Sequence, residues 1–205
     1  MKKLLLYATV FVALVTTSFR LAPGTMSSDE RKFAIDYYLK TKDRLLKDLK
    51  GLNETQLSFK ADTSHWSIYE CTEHIALSEN AIWQWIQMTE NQPATPDKRG
   101  EVKLTTEQVI KRMTDRSHKA KTVPFLEPEK KFPDTKTASQ AFLSRRDSTI
   151  YYIRSTQDDL KDHFIQHPAL GTIDLYQALI YLAAHCERHT LQIEEVMADA
   201  NFPKQ

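Results

Sequence analysis

Seven histidines occur in the chain, and two pairs of them are spaced four residues apart, which would place both rings of a pair on one face of a helix. His185 and His189 form one pair and lie on the apolar face of the last helical segment. A buried imidazole without a partner is costly. The pair therefore indicates either two core histidines, each hydrogen-bonded across the molecule, or a divalent metal ion, which binds neutral imidazole nitrogen.

A metal ion needs at least a third ligand, and His74 is the candidate. It follows Cys71 by three residues and precedes Ile75, which places it on or beside the inward face of the second long helix. His163 and His167 form the other pair. A residue that precedes proline avoids the helical conformation, so the helix should end near His167, and we expect both rings to be solvated or to act as caps.

Four long segments with helical periodicity would position these histidines, and each begins at a Ser, Thr or Asp that is followed three residues later by Glu or Gln. Their predicted caps are Ser27, Ser67, Thr137 and Asp174. With about 25 residues each, these helices would be about 37 Å long. A shorter helix that begins at Thr105 lies between the second and third long helices.

The predicted helix ends follow from glycine, proline and turn residues. The first long helix should end at Gly51 and the second at Pro93. The third carries its apolar face to Leu160 and is broken by the turn at residues 167–171. Since no segment shows the alternation of a strand, we predict an all-α four-helix bundle over residues 27–200, with the accessory short helix between helices 2 and 3.

The composition excludes several classes of protein. The 28 basic and 27 acidic residues leave a net charge of +1, which argues against a general nucleic-acid binder. Four glycines among 205 residues disfavour a glycine-rich phosphate loop or a dinucleotide fingerprint. Two cysteines cannot form a disulfide scaffold or a four-cysteine zinc site.

Residues 1–22 are predicted to be a signal peptide or an N-terminal anchor. Lys2 and Lys3 precede a mostly apolar run at residues 4–15, which is shorter than the ~20 apolar residues that span a bilayer. We therefore expect an exported, periplasmic or membrane-anchored protein. Translation from Met26 would instead leave the protein in the cytoplasm.

Three segments resemble the motifs of one known family. Residues 66–79, W-S-I-Y-E-C-T-E-H-I-A-L-S-E, are similar to the second-helix signature W-S-x-x-E-x-x-x-H-x-x-x-x-E of the DinB-like (YfiT-like) metalloenzyme superfamily. Residues 167–171, H-P-A-L-G, and 184–193, A-H-C-E-R-H-T-L-Q-I, resemble its closing turn and its H-x-x-x-H-x-x-Q-I motif. The similarity extends over roughly residues 30 to 200.

This resemblance implies a DinB-like four-helix bundle that holds a divalent metal ion such as zinc, nickel, manganese or iron. The family's ligands are one histidine of the second helix and two of the fourth, which correspond to His74, His185 and His189. No ligand position departs from the family's pattern.

A three-histidine site leaves at least one coordination position open, which is the layout of a catalytic site. That position could lower the pKa of a bound water or a bound thiol. The resemblance implies that either a thiol or a water could be activated. Some DinB-like enzymes are S-transferases that use a thiol such as bacillithiol or mycothiol, and others are described as metal-dependent hydrolases. A non-catalytic metal-binding or stress-related protein is the alternative.

The expected partner is a small-molecule substrate, for example a low-molecular-weight thiol, and no nucleic acid. Export would weaken the thiol version, because such thiols are kept inside the cell. A homodimer remains an open alternative to a monomer. The substrate, the leaving group and the identity of the metal do not follow from the sequence.

Several residues near the candidate ligands have more than one interpretation. Gln192 shares the helix face of His185 and either orients a ligand imidazole or a bound water, or makes a packing hydrogen bond. Glu73 and Glu187 each adjoin a candidate ligand but are turned about 100° away from it, so we expect both to be solvated.

The cysteines and tryptophans are also near the candidate ligands. Cys71 lies one helical turn from His74, where a soft metal could recruit it, whereas Cys186 is expected to pack in the core. The three tryptophans are expected to pack the bundle or to line the mouth of the site: Trp66, Trp83 and Trp85.

Overall fold

The structure of the protein is a computed structural model that describes residues 24–118 and 121–204. The predicted leader at residues 1–22 lies outside the described residues. Within them the α-helices are α1 (Ser28–Leu49), α2 (Glu54–Ser58), α3 (Ile68–Glu90), α4 (Thr106–Thr114), α5 (Thr135–Ser155) and α6 (Leu175–Met197). Two short 3-10 helices, Pro96–Glu101 and Pro124–Leu126, and two strands, β1 (Phe164–His167) and β2 (Gly171–Asp174), complete the order.

The long helices α1, α3, α5 and α6 form the predicted four-helix bundle, and α4 is the predicted accessory helix. Helix α6 is the central element, since it packs against α1, α3 and α4. It is buried on nearly all sides, because its apolar residues extend around most of its circumference. No helix among the described residues is long and apolar enough to cross a membrane.

Side-chain caps begin most of these helices where the sequence predicts them. Ser27 and Ser67 are the N-caps of α1 and α3, and each forms the predicted reciprocal pair with the glutamate three residues later. Thr105 begins α4 in the same way with Gln108. Asp174 accepts the backbone N–H of Gln177 at the start of α6. The caps satisfy backbone donors that have no partner within the helix.

The third long helix differs from the prediction at both ends. Helix α5 begins at Thr135, because Asp134 rather than Thr137 is its N-cap. It ends at Ser155, where Thr156 turns to an extended conformation (ψ 141°). Leu160 is therefore not part of the helix, and its N–H instead donates to the Gly24 carbonyl.

The described residues also contain a short β-hairpin, which the sequence pattern did not indicate. Strands β1 and β2 form an antiparallel hairpin, in which His167 pairs with Gly171 and Ile165 with Ile173. The turn needs a positive φ at Gly171 (74°), which glycine adopts without steric cost. Strands of four residues are too short for alternating hydrophobicity to distinguish them from a helix end.

Two buried apolar clusters form the core, and they meet along α6. Ala184 belongs to the first cluster and Cys186 to the second, so the residue between them, His185, lies where the clusters adjoin. The side chain of Arg146 connects the same clusters, because its guanidinium lies 4.5 Å from the ring centre of Tyr38 and 5.0 Å from that of Phe142. His185 therefore lies near the centre of the bundle, where the two clusters meet.

Candidate metal centre

The structure brings together the three predicted histidines. His74 lies two turns into α3, and His185 and His189 lie one turn apart near the middle of α6. Each of the three rings offers one ligand nitrogen, and these nitrogens all lie within 4.8 Å of one another. The ring centres are 4.5 to 5.1 Å apart. One ion could therefore contact all three nitrogens after small side-chain adjustments.

The three imidazoles are buried and neutral. Burial lowers the pKa of His74, and it lowers the pKa values of His185 and His189 well below 6.5, with a further contribution from the positive charge that a neighbouring ring would carry. Neutral imidazole is the form that ligates a metal ion. The electrostatics of the site therefore favour the protonation state that a metal ion requires.

Hydrogen bonds orient two of the three rings. The Nδ1 atom of His74 donates to the carbonyl oxygen of Leu126 (2.8 Å), and that of His189 donates to the side-chain oxygen of Gln192 (2.9 Å). The proton of each ring is thus on Nδ1, and the lone pair on Nε2 is left for a metal ion. The Ser78 hydroxyl lies 3.5 Å from Nε2 of His74, which is long for a hydrogen bond.

The donor set fits a divalent transition metal ion. Three neutral nitrogens, with no carboxylate or thiol in the group that the described residues form, are typical of a site with an open position. Cys71 is fully buried in the second apolar cluster and is not part of the three-histidine group. The structure therefore gives no support to Cys71 as a ligand of a soft metal ion. Burial raises the pKa of its thiol, and it raises the pKa of Cys186 to about 12.

The comparisons with known proteins agree with this arrangement. A sequence profile of the DinB superfamily matches residues 37–193. The chain belongs to the DinB superfamily. Among proteins with curated descriptions, none matches this chain.

A solved structure of the same fold is YfiT from Bacillus subtilis, described as a probable metal-dependent hydrolase with an unusual four-helix bundle topology. The two structures superpose with a TM-score of 0.58 over 86% of this chain and 90% of that one. Their sequences are 15% identical, so the likeness shows the fold of this DinB-superfamily protein.

The two glutamates beside the ligands are buried, which corrects the expectation that they are solvated. The Glu73 carboxylate accepts the backbone N–H groups of Lys130 (3.2 Å) and Lys131 (2.6 Å). Glu187 accepts from the Tyr37 hydroxyl at 2.7 Å and also pairs with Arg44. A rotation of about 100° around the helix axis exposes a side chain only if that side of the helix faces solvent. Helices α3 and α6 are each packed against several other elements, so both glutamates are buried.

The Gln192 side chain orients a candidate ligand, which is one of its two predicted roles. The ring it contacts is His189, one turn away, rather than His185. Arg116 lies 3.4 Å from the same Gln192 oxygen and forms a two-point ion pair with Glu195, which fixes the amide in turn. Such support outside the ligands sets ring orientation in metal sites.

Among the described ring contacts, one of the three predicted tryptophans meets the candidate ligands. Trp66 packs against His74 (4.8 Å between ring centres) and stacks on His189 (5.8 Å). Trp85 is 37% exposed and stacks on His167. Trp83 is instead buried in the first apolar cluster, where its ring meets that of Tyr152.

The pair His163 and His167 contributes no ligand to the three-histidine group, and both rings contact backbone groups, which is closer to the predicted capping role than to solvation. The two ring nitrogens of His163 lie 2.8 and 2.9 Å from the carbonyl oxygens of Asp159 and Gln92. His167 is half-buried in the hairpin beside Tyr181, which contacts His185. Sequence reasoning missed this position because it depends on the hairpin; the only signal was the H-P-A-L-G turn itself.

Proposed function

We propose that this DinB-superfamily protein is a metal-dependent enzyme in which His74, His185 and His189 hold a divalent ion that faces a small-molecule substrate. The observation that carries the proposal is the convergence of three buried, neutral imidazole nitrogens within 4.8 Å. Because all three ligands are uncharged, the ion would keep its full positive charge and favour an anion as a further ligand.

When bound, the ion would lower the pKa of a coordinated water or thiol and so supply an anionic nucleophile at neutral pH. The chain itself supplies no alternative thiolate near the site, since both of its cysteines are buried and burial raises the pKa of each. The nucleophile must therefore come from solvent or from a free thiol. Trp66 covers His74 and His189 and would limit the access of bulk water to them.

Hydrolysis and S-transfer are the two reaction classes that fit this site. The fold that the chain shares with a protein described as a probable metal-dependent hydrolase supports the first. The neutral nitrogen ligands, which suit a thiolate as the fourth ligand, support the second. Export through residues 1–22, if it occurs, would favour hydrolysis, because the protein would then not meet the thiols of the cytoplasm.

One experiment tests the proposal and separates the two classes. Protein purified without a histidine tag is analysed for metal, reloaded with Co²⁺ and titrated with millimolar 2-mercaptoethanol from about pH 6 to about pH 9. A charge-transfer band in the near ultraviolet, present also in the Cys71→Ser variant, would support S-transfer. A cobalt site that gives no such band would support hydrolysis. If the purified protein contains no divalent metal and does not bind Co²⁺, the proposed function is wrong.

A further inference from the structure

The side chain of Ser78 is turned towards the candidate metal centre. Ser78 follows His74 by one turn of α3, so both side chains lie on the same face of that helix. Its Oγ atom lies 3.5 Å from Nε2 of His74, the nitrogen whose lone pair is left for a metal ion, and the residue is fully buried. The second-helix signature leaves this position unspecified, so the family resemblance assigns it no role.

The orientation of this hydroxyl differs from that of other helical serines. A serine within a helix can donate to the carbonyl oxygen four residues earlier. Such bonds, of 2.7 to 3.0 Å, are made by Ser58, Ser139, Ser148 and Ser155. Ser78 instead faces the ring of His74, and its hydroxyl makes no other hydrogen bond among those of the described residues. Its orientation is therefore not the usual one of a serine that bonds to its own helix.

A metal ion bound to His74 would remove the acceptor of this hydroxyl. Because the Nδ1–H group of His74 donates to Leu126, the Ser78 hydroxyl can donate only to the lone pair of Nε2. The same lone pair would bind the ion. A buried hydroxyl without an acceptor is costly. The hydroxyl must therefore find a new acceptor when the ion binds.

The open coordination position would supply that acceptor. Atoms bound to one tetrahedral ion lie about 3.5 Å from each other, since each is about 2.0–2.3 Å from the ion. Oγ of Ser78 lies at a similar distance from Nε2 of His74, so it can reach an atom at the open position. A neutral hydroxyl is not among the usual ligands of such an ion, which are thiolates, imidazoles and carboxylates. The geometry therefore favours a hydrogen-bond donor over a fourth ligand.

We propose that Ser78 donates a hydrogen bond to the nucleophile at the open coordination position and so favours its anionic form. A hydrogen bond to an anion is stronger than one between neutral groups. The donor would serve a nucleophile derived from water or from a thiol, so Ser78 acts in either reaction class. This inference rests on the proposed function, because the ion defines where the nucleophile is held.

Azide binding to the cobalt-loaded protein tests the hydrogen bond, since azide is a small anion whose coordination changes the visible spectrum of Co²⁺. Ser78→Ala should weaken azide binding roughly tenfold, which is the lower end of the range for a hydrogen bond to a charged group. Cobalt affinity should not fall, because the three nitrogen ligands remain. Thr72→Val is the matched control. It removes another buried hydroxyl of α3, one that donates to the Ile68 carbonyl oxygen (2.8 Å), and should change neither quantity.

A second variant tests where the side chain points, without a bound anion. Ser78→Cys replaces Oγ by sulfur in a side chain of nearly the same shape, and a thiolate is a strong ligand of transition metal ions. The cobalt-loaded variant should show the near-ultraviolet thiolate–cobalt band with no thiol added. The wild-type protein should not, because both of its cysteines lie outside the three-histidine group. Circular dichroism checks that each variant is folded.

The failures of the two proposals are distinguishable. If azide binds equally well to the wild-type protein and to Ser78→Ala, if Thr72→Val weakens it as much, or if Ser78→Cys gives no band, the role of Ser78 is wrong and the metal centre stands. A loss of cobalt from Ser78→Ala would also contradict the inference, since a donor to the nucleophile does not hold the ion. If azide leaves the spectrum of the wild-type cobalt protein unchanged, the ion has no open position and both proposals are wrong. If the wild-type protein binds no cobalt, the proposed function fails, and the role of Ser78 fails with it.

Discussion

Each imidazole of the candidate metal centre is held by a different kind of neighbour. A backbone carbonyl orients His74, and a side-chain amide orients His189. His185 is positioned by rings, since those of His74, His189 and Tyr181 surround it. The carbonyl of Leu126 and the amide of Gln192 belong to separate parts of the chain, so single substitutions can test these two supports one at a time.

The first prediction concerns the ligands themselves. His185→Ala should lower the bound metal at least about tenfold, because two nitrogen ligands hold an ion much less tightly than three. The helical circular dichroism should stay largely intact, since the apolar clusters on both sides of His185 remain. Metal content by elemental analysis checks the result. His163→Ala is the matched control, because its ring contacts two carbonyl oxygens away from the three-histidine group.

Unchanged metal content in His185→Ala would eliminate the three-histidine assignment. A large loss of metal in His163→Ala would show that the wrong pair of histidines had been chosen.

A second prediction concerns the amide that orients a ligand. Gln192→Leu removes the acceptor for the Nδ1–H group of His189, so metal affinity should fall by roughly 10- to 100-fold. Gln192→Glu keeps an oxygen at that place and should retain the affinity. Competition with a chromophoric chelator measures both variants. Equal affinity in all three proteins would mean that the hydrogen bond only packs the helix.

At the scale of elements, a glutamate of α3 holds the loop that follows α4. Glu73 accepts the adjacent N–H groups of Lys130 and Lys131, where Lys130 has a positive φ (60°) that turns both groups towards the carboxylate. The same loop carries Leu126, whose carbonyl orients His74. Glu73 thus fixes the loop, and the loop fixes the ligand.

The third prediction follows from this connection. Glu73→Gln leaves one acceptor oxygen in place of two, so hydrogen exchange at residues 124–131 should accelerate and metal affinity should fall a few-fold. Exchange followed by mass spectrometry locates the change. Glu129→Gln alters a more exposed glutamate of the same loop and should change neither quantity. Faster exchange confined to α3 would contradict the proposed contact.

For the whole molecule, a buried ion pair connects the two apolar clusters. Arg146 of α5 is fully buried, pairs with Glu79 of α3 and donates to the Thr41 hydroxyl of α1 (3.0 Å). Among the described residues, one carboxylate oxygen of Glu79 and Nε of Arg146 have no hydrogen-bond partner, so the pair is incompletely satisfied. Burying such a pair carries a large desolvation penalty. Removing one member should therefore destabilise the fold more than replacing both members, because the remaining charge would be buried without its partner.

The fourth prediction is a stability measurement on that pair. Arg146→Met should lower the free energy of unfolding by about 3–5 kcal/mol, because Glu79 is left buried without its partner. Adding Glu79→Leu should recover part of the loss. Lys42→Met removes a pair with Asp147 that bridges α1 and α5 near the surface and should cost no more than about 1 kcal/mol. Urea denaturation checks all three, and a double variant less stable than the single one would contradict this account.

The fifth prediction concerns pH. Burial lowers the pKa of all three candidate ligands below the ordinary 6.5, so the folded protein keeps them neutral as the pH falls through that value. Metal should therefore be retained below pH 6.5 and be lost only as the pH falls through the lowered pKa values. The visible spectrum of the cobalt-loaded protein measures the loss, and circular dichroism separates it from unfolding. A midpoint at or above pH 6.5 would show that the ligands are not buried as described.

Sequence alone determined the elements that depend on local interactions. Helix starts at Ser27, Ser67 and Thr105 follow from a cap and its partner three residues away, which need no distant contact. The shared face of His185 and His189 follows from helical geometry. The choice of His74 as the third member needed the family resemblance as well, since spacing alone left hydrogen-bonded core histidines as an alternative.

Only the tertiary structure decided what depends on how the elements pack. The angular position of Glu73 and Glu187 predicted that both would be exposed. A helix that is covered on several sides buries residues on every face, and each of these carboxylates accepts hydrogen bonds from a distant segment of the chain. Helix α5 ends before Leu160, whose N–H donates to the Gly24 carbonyl, a contact across more than a hundred residues, and the hairpin follows this segment. That hairpin places the ring of His167 against Tyr181, whose ring contacts that of His185, and this position depends on packing that local reasoning could not supply.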